Sequence, residues 1–131
     1  MIAYVDTSAA MKLLVDEAES EALADHLESR KAGGDTLVAS LLLHTELRCA
    51  SKRNPEDIRP DAVEDVLSSL ALVDLERGDL MTAPLLPGRL RSADAIHLAT
   101  ALRLGAETMV VYDAELRSAA KTAGIDALSP A

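Results

Sequence analysis

The sequence predicts an α/β fold, a mainly parallel sheet of four to five strands with helices on both faces. Three observations carry that expectation. Short apolar runs alternate along the chain with longer segments whose apolar residues recur at helical spacing. Only Tyr4 and Tyr112 are aromatic, so the interior is aliphatic and alanine-rich, which suits closely packed helices better than an all-β architecture. The 131 residues, 49% of them apolar, suffice for one hydrophobic core and not for two ordinary domains, so residues 1–131 are expected to form a single domain.

Ile2-Ala3-Tyr4-Val5 reads as a buried strand that stops at Asp6, and Ser8 to Leu14 as the helix after it. Asp6 thus stands at the carboxyl end of a strand. That is a good N-cap position and also the place where open α/β sheets bind ligands. Glu17 to Arg30 reads as an amphipathic helix with Ala18, Ala22, Leu23 and Leu27 on its apolar side, ended by Gly33-Gly34; His26 reads as a surface residue. Thr36 to Ala39 is the second strand, and Ser40 the N-cap of a helix over Leu41 to Arg53. There Glu46 interrupts an apolar stripe, with Leu42 and Leu43 one turn before it and Cys49 and Ala50 one turn after. A carboxylate so placed either meets a functional partner or lies at the edge of the stripe, reaching solvent or pairing with Arg48 or Arg53. Cys49 reads as a small core side chain with no histidine partner.

Asn54-Pro55 breaks that helix, and Pro60 opens the next, Asp61 to Leu70, on Val63, Val66, Leu67 and Leu70. Leu72 to Leu75 is a third strand. Gly78 to Gly88 is a short interrupted helix and a turn, whose Leu80, Met81, Leu85 and Leu86 are either core or an oligomer contact. Ser92 then reads as the N-cap of a helix with Asp94 in its first turn, Ala95, Leu98, Ala99 and Leu102 inward, and Gly105 at its end. Asp94 there complements the helix dipole. His97, on the same face, reads as space-filling or as a hydrogen-bond partner of Asp94 rather than as a catalytic group. Thr108 to Val111 is the fourth strand. It leads through Tyr112 to Asp113 and a helix on Leu116, Ala119 and Ala120; Gly124 ends this helix, and Ile125 to Leu128 is a last edge strand.

Composition narrows the function. A single cysteine excludes a disulfide framework and a thiolate metal site and fits a reducing compartment, the cytoplasm by default. A strand beginning at Ile2 leaves no room for a signal peptide ahead of it, and no apolar run approaches the roughly 20 residues needed to cross a bilayer. The net charge of −9 argues against a protein that coats nucleic acid through a basic face, but not against a nuclease whose acids converge on a cation; it also suits a basic protein partner. Gly33-Gly34 has neither the lysine nor the spacing of a phosphate-binding loop.

In a parallel sheet the residues just after the strands share one edge, where Asp6 and Asp113 fall and which the helices of Glu46 and Asp94 can reach. Four carboxylates there repel: at 4 Å a pair of unit charges interacts by about 4 kcal/mol at an effective dielectric near 20. A divalent cation relieves the repulsion, and oxygen-only ligands suit Mg²⁺ or Mn²⁺ rather than zinc. Such a site points to phosphodiester hydrolysis.

Val5-Asp6-Thr7-Ser8-Ala9, Glu46-Leu47, Ser92 to Ala101 and Val111-Tyr112-Asp113 with Leu116 resemble, in order and over nearly the whole chain, a PIN-domain nuclease, and more narrowly a VapC-type toxin of a toxin–antitoxin pair. The resemblance implies a PIN-like three-layer α/β/α fold and an endoribonuclease in which Asp6, Glu46, Asp94 and Asp113 hold Mg²⁺ or Mn²⁺ and position a metal-activated water for in-line attack on RNA. It implies further that Thr7 or Ser8 steadies the first carboxylate, and that the chain forms a homodimer and binds a VapB-type antitoxin, whose tail covers the acids with a basic side chain. The family often carries a hydroxyl residue shortly before the last Asp, where this chain has Val110-Val111. Arg89, Arg91, Lys52 and Arg53 are candidates for phosphate contacts. A receiver-like domain needs a second acid beside Asp6 and a lysine after a late strand, and a dehalogenase-type phosphatase needs a second Asp near Asp6; Asp6 has no acidic neighbour, Asp6-Thr7-Ser8 lacks the second Asp, and Ile125 to Ala131 contains no lysine. A PIN fold that retains only binding is the remaining alternative.

Overall fold

The computed structural model describes all of residues 1–131, in which five strands alternate with seven α-helices. In chain order these are β1 Ile2–Val5, α1 Thr7–Leu14, α2 Ser20–Ala32, β2 Thr36–Ser40, α3 Leu41–Arg53, α4 Pro60–Ser68, β3 Ala71–Val73, α5 Arg77–Thr82 with a 3₁₀ turn Ala83–Leu85, α6 Ser92–Arg103, β4 Thr108–Val110, α7 Ala114–Thr122 and β5 Asp126–Leu128. All strands are parallel, in the order β3-β2-β1-β4-β5. The expected α/β class, three-layer arrangement and last edge strand are all present.

The first strand is central because it is apolar on both sides. Ala3 and Val5 face a layer built on Ala9 and Ala10 of α1, Leu23 and Leu27 of α2, Leu43 and Leu47 of α3 and Val63 of α4. Tyr4 faces the other way, with Leu98 and Ala101 of α6 and Leu116 and Ala120 of α7. Each such fully buried leucine contributes about 1.5–3 kcal/mol of transfer free energy. Successive strands run outward from β1 to one side as β2 and β3, then start again on the other side as β4 and β5. That reversal opens a crevice at the carboxyl ends of β1 and β4, the usual ligand position in open parallel sheets.

Of the boundaries that differ from expectation, three have a visible cause. Helix α2 begins at Ser20, because Glu17 and Glu19 are drawn back by ion pairs to Lys12 at 2.6 and 3.0 Å, which leaves Ala18 exposed in a turn. Strand β3 is Ala71–Val73 rather than Leu72 to Leu75, since β2 offers pairing only from Val38 to Ser40 and the Asp74 carbonyl accepts from Arg103 instead. Ser92 is the first residue of α6 and not its cap. The Arg91 carbonyl already accepts the Ala95 N–H at 3.0 Å, and no side chain caps this end. No helix is long and apolar enough to cross a membrane.

Candidate functional site

The crevice at β1 and β4 collects the acids. The Asp6 N–H extends the β1–β4 ladder by donating to the Val110 carbonyl at 3.0 Å, which fixes the residue at the sheet edge. Asp6 Oδ2 caps α1 by accepting from the Ser8 N–H at 3.1 Å and the Ser8 hydroxyl at 2.8 Å. Asp6 is 1% exposed, and its other oxygen, Oδ1, is buried with no hydrogen-bond partner. The same Ser8 hydroxyl accepts from the Tyr112 N–H at 2.8 Å and the Asp113 N–H at 3.4 Å. Val110-Val111 stand just before this segment, so the hydroxyl that reaches its backbone comes from Ser8. Asp113 is exposed and caps α7 by accepting the Leu116 N–H at 2.8 Å.

Asp94 lies in the first turn of α6, half-buried. Burial first, then the charges of Asp6, Asp113 and Glu46, push its carboxyl up to about 6 from the ordinary 3.8, with His97 opposing. All four acids predicted from the sequence therefore share one electrostatic field. No three of the chain's His, Cys, Asp and Glu side chains already converge closely enough to form a finished metal cage. Two features nevertheless fit a hard divalent cation: the donors are carboxylate oxygens, and the buried Asp6 Oδ1 lacks a partner.

Glu46 turns from α3 into this field rather than to solvent arginines. Arg48 pairs instead with Glu64 of α4. Glu46 Oε1 accepts from the Thr7 hydroxyl at 2.9 Å and lies 2.5 Å from His97 Nε2. Burial works to raise the Glu46 pKa, but the bonds from His97 and Thr7 outweigh it and hold the carboxyl below its usual range. His97 is fully buried. Burial lowers its affinity for a proton, whereas Glu46, Asp6 and Asp94 raise it, with a net rise. Of the two alternatives for His97, space-filling or a bond to Asp94, the bond to Asp94 is absent; the ring spans Tyr4, Thr7 and Glu46 instead.

Cys49 corrects a second expectation. It is exposed, because the buried stripe of α3 runs through Leu43, Leu47 and Ala50. It lines, with Thr7, Met11, Glu46 and Arg53, a surface groove of about 480 Å³. Arg89 lines a second groove of about 400 Å³ beside α7, whereas Lys52 and Arg91 are exposed side chains without an ion-pair partner. Sequence reasoning missed the part of Tyr4. Its available signal was a tyrosine in a strand otherwise apolar, whose hydroxyl needs a partner once buried.

A five-stranded parallel sheet with acids at its switch point defines the class, and the PIN domain model matches residues 3–122: the chain belongs to the PIN-domain family. Within that family it is 39% identical over 130 residues to Ribonuclease VapC46 of Mycobacterium tuberculosis, covering 97% of this chain and 96% of that one. It is 37% identical over 133 residues to Ribonuclease VapC35 of the same species, with the same coverage of 97% and 96%. Among solved structures it superposes on VapBC2 from Rickettsia felis bound to a DNA fragment from their promoter, with a TM-score of 0.79, 15% identity and 100% of both chains covered. It also superposes on Mycobacterium tuberculosis VapC20, described as a Sarcin-Ricin loop cleaving toxin, with a TM-score of 0.69, 14% identity and 98% and 99% coverage. At such identities these structures speak for the fold.

Proposed function

We propose that the chain is a metal-dependent endoribonuclease, the toxin of a VapBC-type toxin–antitoxin pair, in which Asp6, Glu46, Asp94 and Asp113 hold Mg²⁺ (or Mn²⁺). The observation that carries this reading is the unpartnered Oδ1 of Asp6. An unsatisfied buried acceptor costs on the order of 1–3 kcal/mol, more when charged, and among neighbouring acids a cation is the ligand that removes the cost. The relatives named as ribonucleases support RNA as the substrate, and the neighbour described as VapBC2 supports a VapB-type antitoxin as the partner.

Bound among these acids, Mg²⁺ would supply charge neutralisation at a phosphodiester and a lowered pKa for water. The chain's own residues do the rest. Asp6 and Asp94 present oxygens from the sheet edge and from the first turn of α6. Glu46, kept ionised by Thr7 and His97, uses Oε1 for those bonds and keeps Oε2 available. Asp113 commits Oδ1 to capping α7 and has Oδ2 for the site. Arg53 and Arg89, each lining a groove, are placed to meet RNA phosphates, which fix position rather than sequence. The chain acts as a single domain in the cytoplasm and pairs as a homodimer, for which Leu80, Met81 and Leu85 supply exposed apolar surface.

Cleavage of a mixed cellular RNA pool by the purified chain tests the reading. Cuts are expected with Mg²⁺ or Mn²⁺ and not with chelator or in Asp94→Asn, which also controls for contaminating nuclease. Folded protein that binds Mn²⁺ but cuts no RNA would leave a PIN fold used for binding alone.

A further inference from the structure

Tyr4, His97 and Glu46 form a buried polar line that holding a cation on four acids does not by itself require. Its direction can be read from hydrogen counting. The Ser40 N–H donates to Tyr4 Oη at 3.0 Å, so the hydroxyl already accepts from β2. Its own proton has one partner, His97 Nδ1 at 2.7 Å. A tyrosine hydroxyl keeps its proton at neutral pH. An imidazole that accepts at Nδ1 carries its hydrogen on Nε2. Nε2 faces Glu46 Oε1 at 2.5 Å, with Thr7 Oγ1 at 2.9 Å. The neighbouring acids favour a second proton on the ring, but a ring protonated on both nitrogens would leave the Tyr4 proton buried without an acceptor.

The line therefore ends as a donor on one oxygen. The Thr7 hydroxyl donates to the same Oε1 at 2.9 Å, and Oε2 takes no hydrogen bond from the protein. A free glutamate gives up rotamer freedom when it is fixed, and two donors on one oxygen fix it before any ligand arrives.

We propose that Tyr4 and His97 are positioning residues of the acidic site: the Ser40 amide orients Tyr4, Tyr4 donates to Nδ1 and holds the His97 ring in place, and His97 Nε2–H with Thr7 holds Glu46 so that Oε2 is left for a divalent cation. The inference rests on reading the four acids as cation ligands. Loss of a hydrogen bond that orients a metal ligand typically weakens metal binding 10- to 100-fold.

The test uses the folded chain without RNA. Long-range ¹H–¹⁵N spectra of the metal-free protein above neutral pH report which His97 nitrogen is protonated, and Mn²⁺ titration followed by electron paramagnetic resonance reports affinity. Tyr4→Phe, His97→Gln and His97→Leu are compared with the parent, their folding checked by circular dichroism. The expected parent has a bare Nδ1 and a protonated Nε2. Mn²⁺ affinity falls roughly 10- to 100-fold in His97→Leu, falls less in Tyr4→Phe, and stays close to the parent's in His97→Gln, whose amide restores a donor toward Glu46. Parent-like Mn²⁺ affinity in His97→Leu overturns the positioning role, as does a His97→Gln as weak as His97→Leu or a parent protonated at Nδ1. A parent that binds no Mn²⁺ overturns the ligand reading itself, a separate outcome. If His97→Leu does not fold, Tyr4→Phe, which removes a single oxygen, decides: parent-like Mn²⁺ affinity overturns the role.

Discussion

At the scale of single residues, Asp94 separates a structural from a functional account by the sign of one effect. A first-turn acid that merely complements the helix dipole stabilises by about 0.3–1 kcal/mol, so its amide variant should be less stable. An acid raised to about 6 in the fold binds its proton more tightly there than in the unfolded chain. Its contribution is therefore favourable at low pH and is lost as pH rises from about 4 through 6. At neutral pH the charged form is a burden of about 1–2 kcal/mol after discounting for partial exposure. Asp94→Asn should accordingly raise the melting temperature of the metal-free chain by a few degrees while abolishing cleavage; a lower melting temperature would return Asp94 to a dipole role. Asp6→Asn should bring the Asp94 pKa down towards its ordinary range, measured by ¹³C titration, because the Asp6 charge is one of its causes. The candidate acids are legible in the sequence, since each breaks an apolar pattern or follows a strand. The part of His97 is not: helical spacing points it at Asp94, whereas its partners are set by which nitrogen meets Tyr4, 93 positions away.

At the scale of elements, legibility follows the caps. Helices α1, α3 and α7 start where Asp6, Ser40 and Asp113 place a side-chain oxygen on a backbone N–H, and α4 where Pro60 stands in its first turn; all four can be read from sequence. Helices α2 and α6 start after Glu19 and Arg91, which make no such bond, and there the sequence reading errs. The joint between α5 and α6 is also invisible in sequence. Buried Asp79 accepts from Arg103 Nε at 2.7 Å and from the Glu76 N–H at 3.0 Å, tying the short α5 to the helix that carries Asp94. Burial alone would raise the Asp79 pKa; the bonds from Arg103 and Glu76 outweigh it and lower it. The contribution of this pair is thus present above the unfolded pKa near 4 and lost as pH falls through the folded value. Asp79→Asn should cost about 2 kcal/mol at neutral pH by urea unfolding and progressively less in acid. An unchanged midpoint at pH 7 would mean that α5 is held by its apolar contacts alone.

At the scale of the whole molecule, alternating runs disclose the layers but not the strand order, because order depends on which edge each crossover returns to. The position of the crevice therefore needed the structure, although its acids did not. Ligand linkage offers a global check: a cation at 100 times its dissociation constant should add about 2.7 kcal/mol to stability, so Mn²⁺ should raise the melting temperature of the parent and leave that of Asp6→Asn nearly unmoved. Leu85, 84% exposed, offers another: Leu85→Glu should lower the molar mass found by light scattering if the homodimer uses this surface, and leave it unchanged otherwise. The Ser8 hydroxyl, shared between Asp6 and the amides of Tyr112 and Asp113, bears on how the molecule is made. A growing polypeptide emerges with Asp6 first, yet the central strand has only one neighbour until residues 108–113 leave the ribosome. A chain that ends before residue 108 thus lacks both the Val110 carbonyl that holds the Asp6 N–H and the acid Asp113.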